Sequence, residues 1–258
     1  MRMEIATTPG DPDRPNEDFV STAAPASGQG GTLVVLDGVT PPSGDYGCRH
    51  TVPWFTARLG GALGELSVSR TDLTLREVLS HAIRRTADAH GQLCDLSHVR
   101  TPQATVVLAR WDEARIEYLV LSDSVLLVEH VDGGVEAVLD DRLDRAPREV
   151  LRSADATDAT LRNKEGGFFT AAADPEVSAR AVTGVLPRAS VRSLAALTDG
   201  ASRWVERFRS GTWAECLDVL AKQGPQALID QVRTAEHAQG RPASGKQHDD
   251  ATAAYVIP

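Results

Sequence analysis

Three apolar segments of the chain end in an aspartate, and this recurrence most constrains how the chain can fold. The segment TLVVLDGVT carries β-forming residues to Asp37, where Gly38 allows a sharp turn. The same pattern recurs at LVLSDS, which contains Asp123, and at LAALTDG, which contains Asp199. A single Asp-Gly pair after a strand is more typical of a turn than of a site. The repetition favours acidic side chains presented from the ends of several strands.

Two further acidic clusters extend this pattern. Asp249 and Asp250 open the last apolar segment, DDATAAYVIP, and Glu17 and Asp18 precede another short one. Several carboxylates without a cysteine or histidine at ligand spacing suit Mg²⁺ or Mn²⁺ better than zinc. Two such ions that share a carboxylate can activate a water for attack on a phosphoryl group, and a nearby arginine can grip the phosphate oxygens.

Composition narrows the class of protein. A chain of 258 residues with 41% hydrophobic content can bury one good core, so we expect residues 1–258 to form a single domain. A net charge of -9 argues against a nucleic-acid partner. No apolar run has the length of a membrane span or the character of a signal peptide, so we expect no membrane partner and a cytoplasmic monomer. Cys48, Cys94 and Cys216 lie far apart without a CxxC motif and predict neither a disulfide framework nor a zinc site.

The order of predicted elements favours antiparallel sheets covered by helices. Helices are predicted from about Val52 and from Leu75, capped by Thr71 or Thr74. Three consecutive strands follow, ATVVLARW, RIEYLVLSD and SVLLVEHV, and the C-terminal part reads as a strand, three helices and a final strand. The segment 140–189 shows no clear hydrophobic periodicity. We expect a mobile, flap-like surface insert there, and the alternative is a buried loop with strands of its own.

Six short motifs occur in an order that resembles the metal-dependent Ser/Thr protein phosphatases of type 2C, including single-domain bacterial members. They are RPNED, VLDG, TPQAT, SDS, TDG and DDAT, and they cover nearly the whole chain. The resemblance implies an α+β fold, a four-layer α-β-β-α sandwich of two antiparallel sheets flanked by helices. It also implies a centre of two Mg²⁺ or Mn²⁺ ions, and hydrolysis of phosphoserine and phosphothreonine in a phosphorylated protein substrate.

The resemblance assigns roles position by position. It implies Asp37 as the bridging ligand, Gly38 as a ligand through its carbonyl, Asp199 and Asp249 on one ion, Glu17 and Asp18 on the other, and Arg14 as the phosphate clamp. Arg14 and Asp37 are therefore the expected catalytic residues. Asp123 is either a ligand of a weak third ion or a turn residue that caps a hairpin.

The chain also departs from the family pattern. Arg14 lies one residue closer to the acidic cluster than is usual, and Ser122 stands where glycine is common. Arg203 occupies the place of a second aspartate that commonly follows the S-D-G motif. Its guanidinium could pair with Asp123 in the space of a third ion, or it could be solvated on the first turn of a helix.

Two alternatives remain open at this point. His50 and His248 flank acidic motifs and could donate a proton to the leaving group, although a lone loop histidine is usually solvated. The chain could also be a catalytically weak regulatory module that binds a phosphorylated partner. The complete carboxylate set favours the enzyme, because without metal these ligands repel one another and cost stability.

Overall fold

The fold consists of ten strands in two antiparallel sheets. The computed structural model describes residues 1–25, 29–42, 44–240 and 246–258. The strands are Arg2–Thr8 (β1), Phe19–Ala23 (β2), Gly31–Leu36 (β3), Val106–Trp111 (β4), Arg115–Leu121 (β5), Val125–His130 (β6), Val135–Val138 (β7), Val182–Pro187 (β8), Val191–Leu197 (β9) and Ala251–Ile257 (β10). One sheet has the order β1-β10-β9-β6-β7 and the other β2-β3-β4-β5-β8. Both the first and the last strands of the chain therefore lie in the same sheet.

Helices cover the outer face of each sheet. They are Val52–Ser69 (α1), Leu75–His90 (α2), Arg148–Leu151 (α3), Ala154–Thr160 (α4), Asp199–Glu206 (α5), Trp213–Gln223 (α6) and Pro225–Gln239 (α7). None of the described helices is long and apolar enough to cross a bilayer.

Three hydrophobic clusters fill the spaces between the layers. One joins α1 and α2 to the β3–β4–β5 face, through residues such as Phe55 and Leu108. A second joins α5, α6 and α7 to the other sheet, through residues such as Trp204 and Tyr255. The third lies between the two sheets and includes Leu33. The predicted four-layer α-β-β-α sandwich is confirmed.

Local sequence signals fix the helix starts. Thr74 accepts a hydrogen bond from the amide of Glu77, and the Glu77 carboxylate accepts one from the Thr74 amide in return. Thr212 and Glu215 form the same reciprocal cap on α6. Such N-caps are typically worth about 1 kcal/mol each. Of the two caps proposed for the second helix, Thr74 is the correct one.

The structure corrects the sequence prediction in two places. The strand β7 was not predicted, and β8 lies in a segment where no particular strand was predicted. The segment 140–189 contains α3, α4 and the whole of β8, which pairs antiparallel with β5. Arg100 donates to Asp158 of α4 at 2.6 Å, where the Asp158 side chain is 6% exposed. The segment therefore has two short helices and one strand of its own, and its role as a flap-like insert stays a prediction.

Candidate active site

The ends of strands from both sheets meet at one edge of the sandwich. Asp18 precedes β2 and Asp37 follows β3, and these strands pair with Phe19 opposite Leu36. In the other sheet, the Thr198 amide donates to the Thr252 carbonyl at 3.0 Å, which places Asp199 beside the start of β10. The carboxylates predicted from four separate motifs therefore come together.

Asp18 joins the two sheets and keeps one oxygen free for a ligand. Its Oδ2 accepts hydrogen bonds from the hydroxyls of Thr252 at 2.7 Å and Thr198 at 3.0 Å. Its Oδ1 is buried and has no hydrogen-bond partner among the described residues. Burial, opposed by the two threonine hydrogen bonds and assisted by the charges of Asp199 and Asp250, raises the pKa of Asp18 to about 8. A buried carboxylate oxygen without a donor fits a cation.

Asp37 and Asp199 form the interior of the acidic cluster. Burial raises the pKa of Asp37 well above its usual range, and so do the charges of Asp199 and Asp18. Burial and the charge of Asp249 raise the pKa of Asp199 to about 7. Like charges held this close favour a proton or a dication between them, so the donor set fits hard divalent ions.

Gly38 occupies a position that no side chain can enter. A Cβ there would lie 2.4 Å from Val52 Cγ1 and 2.5 Å from the Glu17 carbonyl oxygen. The preceding residue, Asp37, makes two hydrogen bonds to Thr105 through its backbone. The Asp37 amide donates to Thr105 Oγ1 at 3.2 Å, and the Asp37 carbonyl accepts from the Thr105 amide at 2.9 Å. The backbone that follows Asp37 is therefore fixed against the acidic cluster.

Asp249 contacts two cations. Its Oδ2 accepts from Arg203 at 3.0 Å, and its Oδ1 accepts from Lys246 Nζ at 2.8 Å. Lys246 also donates to Thr40 Oγ1 at 2.9 Å, and Thr40 donates to the Glu17 carboxylate. Lys246 is a site residue that the motifs do not predict, because its only signal in the sequence is a positive charge three residues before Asp249.

Asp250 shapes the loop that precedes β2. Its two oxygens accept hydrogen bonds from the amides of Gly10 at 2.8 Å and Glu17 at 2.6 Å. Arg14 lies on this loop, exposed, and lines a cleft of about 400 Å³ together with Glu17 and Asp249. Arg14 is thus at the rim of the acidic cluster, as a phosphate clamp requires.

Asp123 lies at the turn between β5 and β6. Ser122 Oγ donates to Asp123 Oδ1 at 3.2 Å, and Ser122 has a φ of 69°, a left-handed conformation that favours glycine. Burial raises the pKa of Asp123, and Glu206 and Asp144 lie close enough to raise it further. The suggested pairing of Asp123 with Arg203 is wrong, because Arg203 contacts Asp249 and Glu236 instead.

The two candidate histidines have other partners. His248 Nδ1 lies 2.7 Å from Glu236 Oε2. His50 lies beside Cys48 and Cys94, and these three residues form a cluster with His90 in which the ligand atoms are within 4.8 Å of one another. The spacing of the cysteines did not predict a metal site, yet these cysteines and histidines form a group that could hold a metal ion. The two pairs of ligands are about 40 residues apart in the chain, and only the packing of the loops brings them together.

Comparison with known proteins agrees with this geometry. Residues 11–233 match the family model of protein phosphatase 2C. The chain belongs to the protein phosphatase 2C family, whose members are metal-dependent phosphatases of phosphoproteins. The matched range ends before Asp249 and Asp250.

Solved structures share the fold at low sequence identity. The serine/threonine phosphatase Stp1 from Staphylococcus aureus is 14% identical with a TM-score of 0.61, and the match covers 99% of this chain and 94% of that one. PppA, a regulatory component of a secretion system (T6SS) in Pseudomonas aeruginosa, is 17% identical with a TM-score of 0.58, covering 98% and 96%. The serine-threonine phosphatase 2C from Toxoplasma gondii is 13% identical with a TM-score of 0.62, covering 99% and 94%. No curated protein sequence matches the chain significantly.

Proposed function

We propose that this chain is a metal-dependent phosphomonoester hydrolase that acts on phosphoserine and phosphothreonine in proteins. The carrying observation is the convergence of Asp18, Asp37 and Asp199 at one sheet edge, with Asp18 Oδ1 buried and without a donor among the described residues. In this proposal residues 1–258 act as a single domain, with a flap-like insert within 140–189.

The acidic cluster would hold two Mg²⁺ or Mn²⁺ ions. Asp37 would bridge them and the Gly38 carbonyl would assist, with Asp199 and Asp249 on one ion and Glu17 and Asp18 on the other. When bound, the ions supply a water of lowered pKa and neutralise charge on the phosphoryl group. Asp123 adds a carboxylate next to the cluster, where a weak third ion would bind.

The protein's own side chains do the positioning. Thr198 and Thr252 hold Asp18 Oδ2, so that Oδ1 points away from them. Thr40 orients Glu17 in the same way. Arg14, at the rim, would hold two phosphate oxygens in a bidentate grip and present the phosphorus to the cluster.

One observation favours a second candidate, a weakly active regulatory module that binds a phosphorylated partner. Both Asp249 oxygens contact cationic side chains, Arg203 and Lys246, which compete with a metal for that carboxylate. Binding of a phosphopeptide without hydrolysis would distinguish this candidate from the enzyme.

The test is Mn²⁺-dependent hydrolysis of an aryl phosphate and of a phosphothreonine peptide. Removing a group that only hydrogen-bonds to a metal ligand typically costs ~10–100-fold in activity. We expect Asp37→Asn to lose more than this, because it removes the charge of a direct ligand. Asp88→Asn, an exposed aspartate on α2, is the matched control and should leave the rate unchanged. Near wild-type turnover in Asp37→Asn would overturn the ligand assignment, and an inactive wild type that still binds the phosphopeptide would favour the regulatory module.

A further inference from the structure

A second group of ligand-type side chains lies outside the acidic cluster. Cys48 and His50 lie on the loop between β3 and α1, His90 is the last residue of α2, and Cys94 follows the 3₁₀ turn Gly91–Leu93. We call these four residues the Cys₂His₂ cluster. Its sequence signature is a C-x-H pair and an H-x₃-C pair, so each chain segment contributes two ligands.

The distances within the Cys₂His₂ cluster are those of a metal site. Cys48 Sγ lies 3.3 Å from His90 Nδ1 and 3.6 Å from His50 Nδ1, and Cys94 Sγ lies 3.4 Å from His50 Nδ1. A tetrahedral zinc ion with ordinary Zn–S and Zn–N bonds places its ligand atoms roughly 3.3–3.8 Å apart. The three sulfur–nitrogen distances fall in this range, and all four ligand atoms lie within 4.8 Å of one another, so a modest movement of the side chains would bring all four onto one ion.

The two sulfurs are close but not bonded. Cys48 Sγ lies 3.1 Å from Cys94 Sγ, which is well beyond the ~2.05 Å of a disulfide and somewhat short of the separation around a zinc ion. Formation of a disulfide would also require an oxidant, whereas binding a metal requires only the loss of two thiol protons. Two thiolates neutralise one Zn²⁺, so the loaded site adds no net charge to this partly buried region.

The surroundings hold the ligands in orientation. The His50 ring stacks on Trp54 with centroids 3.8 Å apart and an interplanar angle of 18°, and His90 meets Trp54 edge to face at 4.8 Å. The amide of His50 donates to Cys48 Sγ at 3.3 Å. His90 is only 3% exposed. Fixed rings and an amide donor to sulfur are the supporting contacts that metal sites use.

We propose that the Cys₂His₂ cluster binds a structural Zn²⁺ ion, separate from the carboxylate centre. Cysteine and histidine ligands select zinc over Mg²⁺ or Mn²⁺, and four protein ligands leave no open position for a substrate. The ion links the loop that follows Thr40 to the end of α2, where the Asp95 amide already donates to the Gly47 carbonyl at 2.7 Å. Zinc would therefore anchor the loop whose first residues contact Glu17.

The test measures zinc in the full-length protein and the spectrum of its Co²⁺ form. We expect one zinc per chain, retained through dialysis, and a Co²⁺ spectrum with tetrahedral d–d bands and a thiolate charge-transfer band. Both should be lost in Cys94→Ser. His81→Gln, exposed on the same helix as His90, and Cys216→Ala, a thiol outside the cluster, should keep both. Asp37→Asn should also keep both, which separates this result from the fate of the carboxylate centre.

A measurement on the wild type guards against a variant that does not fold. Release of zinc by a strong chelator should expose two additional reactive thiols per ion and lower the melting temperature, and zinc but not Mg²⁺ should restore it. The proposal is overturned if Cys94→Ser retains as much zinc as the wild type, if the Co²⁺ form lacks the thiolate band, or if the freshly purified protein contains a Cys48–Cys94 disulfide.

Discussion

The guanidinium of Arg203 donates to Asp249 Oδ2 at 3.0 Å and to Glu236 Oε1 at 2.6 Å. The Glu236 side chain is fully buried and also accepts from Arg233 at 2.8 Å. Arg203 is therefore held in place by a buried carboxylate and presents its charge to a candidate metal ligand. Where the type 2C family commonly has a second aspartate, this chain has a cation directed at Asp249 of the acidic cluster.

Arg203→Met should increase the affinity of the acidic cluster for Mn²⁺. Removing a unit charge next to Asp249 is worth about 1 kcal/mol or more even at high effective dielectric, so we expect a gain of roughly tenfold, measured by calorimetric titration. Stability should fall by about 1 kcal/mol, because Glu236 loses one of its donors. Arg207→Met, at the C-cap of the same helix and hydrogen-bonded to Gln239, is the matched control. Unchanged or weaker Mn²⁺ binding in Arg203→Met would show that Arg203 does not compete with metal.

Arg14→Ala should raise KM for a phosphopeptide roughly tenfold and lower kcat much less. A clamp that holds the phosphate equally in the ground state and the transition state acts on binding alone, and a charge-assisted hydrogen bond is worth about 1.5–3 kcal/mol. Steady-state kinetics with a phosphothreonine peptide measure this, and Asp13→Ala on the same exposed loop is the control. An unchanged KM would show that the shortened spacing before Glu17 turns Arg14 away from the phosphate.

Much of the fold could be predicted because its signals are local. The strands that end in Asp37 and Asp199 are buried apolar runs, and the cap at Thr74 is a short-range pattern. The strand β8 escaped prediction because it is an exposed edge strand, in which alternate residues face solvent and the apolar run is interrupted. Its place is set by pairing with β5, a contact about 65 residues away along the chain.

The candidate site likewise has a part that local sequence signals predict and a part that they do not. The acidic positions were predictable from motifs, whereas their partners were not. Lys246 and Arg203 reach Asp249 from a loop and a helix, and neither has a spacing that predicts the contact. Cys48 and Cys94 likewise meet only because two loops are folded against each other, and their separation in the sequence gives no sign of the contact.

The metal-free protein should lose stability as the pH rises from about 4 to about 8. Burial raises the pKa of Asp18 to about 8 and that of Asp199 to about 7, so the folded state binds protons that the unfolded state has released. The stabilisation from these two protonated carboxyl groups is fully present below their pKa in the unfolded state. It is lost as the pH rises through their higher pKa in the folded state. In the presence of a chelator, the melting temperature should fall over this pH range by an amount on the order of several degrees. Added Mn²⁺ should restore stability most at high pH.

Asp199→Asn isolates this contribution from other titrating groups. Burial lowers the pKa of His90, and this shift makes the folded protein more stable as the pH rises toward neutrality. The wild type and Asp199→Asn share this effect, so it cancels in their comparison. We expect the loss of stability of the metal-free protein between pH 5 and pH 8 to be smaller in Asp199→Asn than in the wild type. Equal slopes for the two metal-free proteins would mean that Asp199 titrates normally in the folded state.

Gly200→Ala should disrupt the junction between α5 and β10. A Cβ at Gly200 would lie 1.9 Å from the Asp250 carbonyl oxygen and 3.2 Å from Ala251 Cα, so the backbone beside Asp249 and Asp250 must move. Such overpacking typically costs about 1–3 kcal/mol, and the displacement should also lower Mn²⁺-dependent activity. The matched control is Gly61→Ala on α1, where nothing lies within 4 Å of the added carbon. There the better helix propensity of alanine should stabilise the protein by about 0.5–1 kcal/mol and leave activity unchanged. Urea unfolding and phosphatase assays on both variants check this, and a Gly200→Ala protein with wild-type stability would show that the junction can adjust without cost.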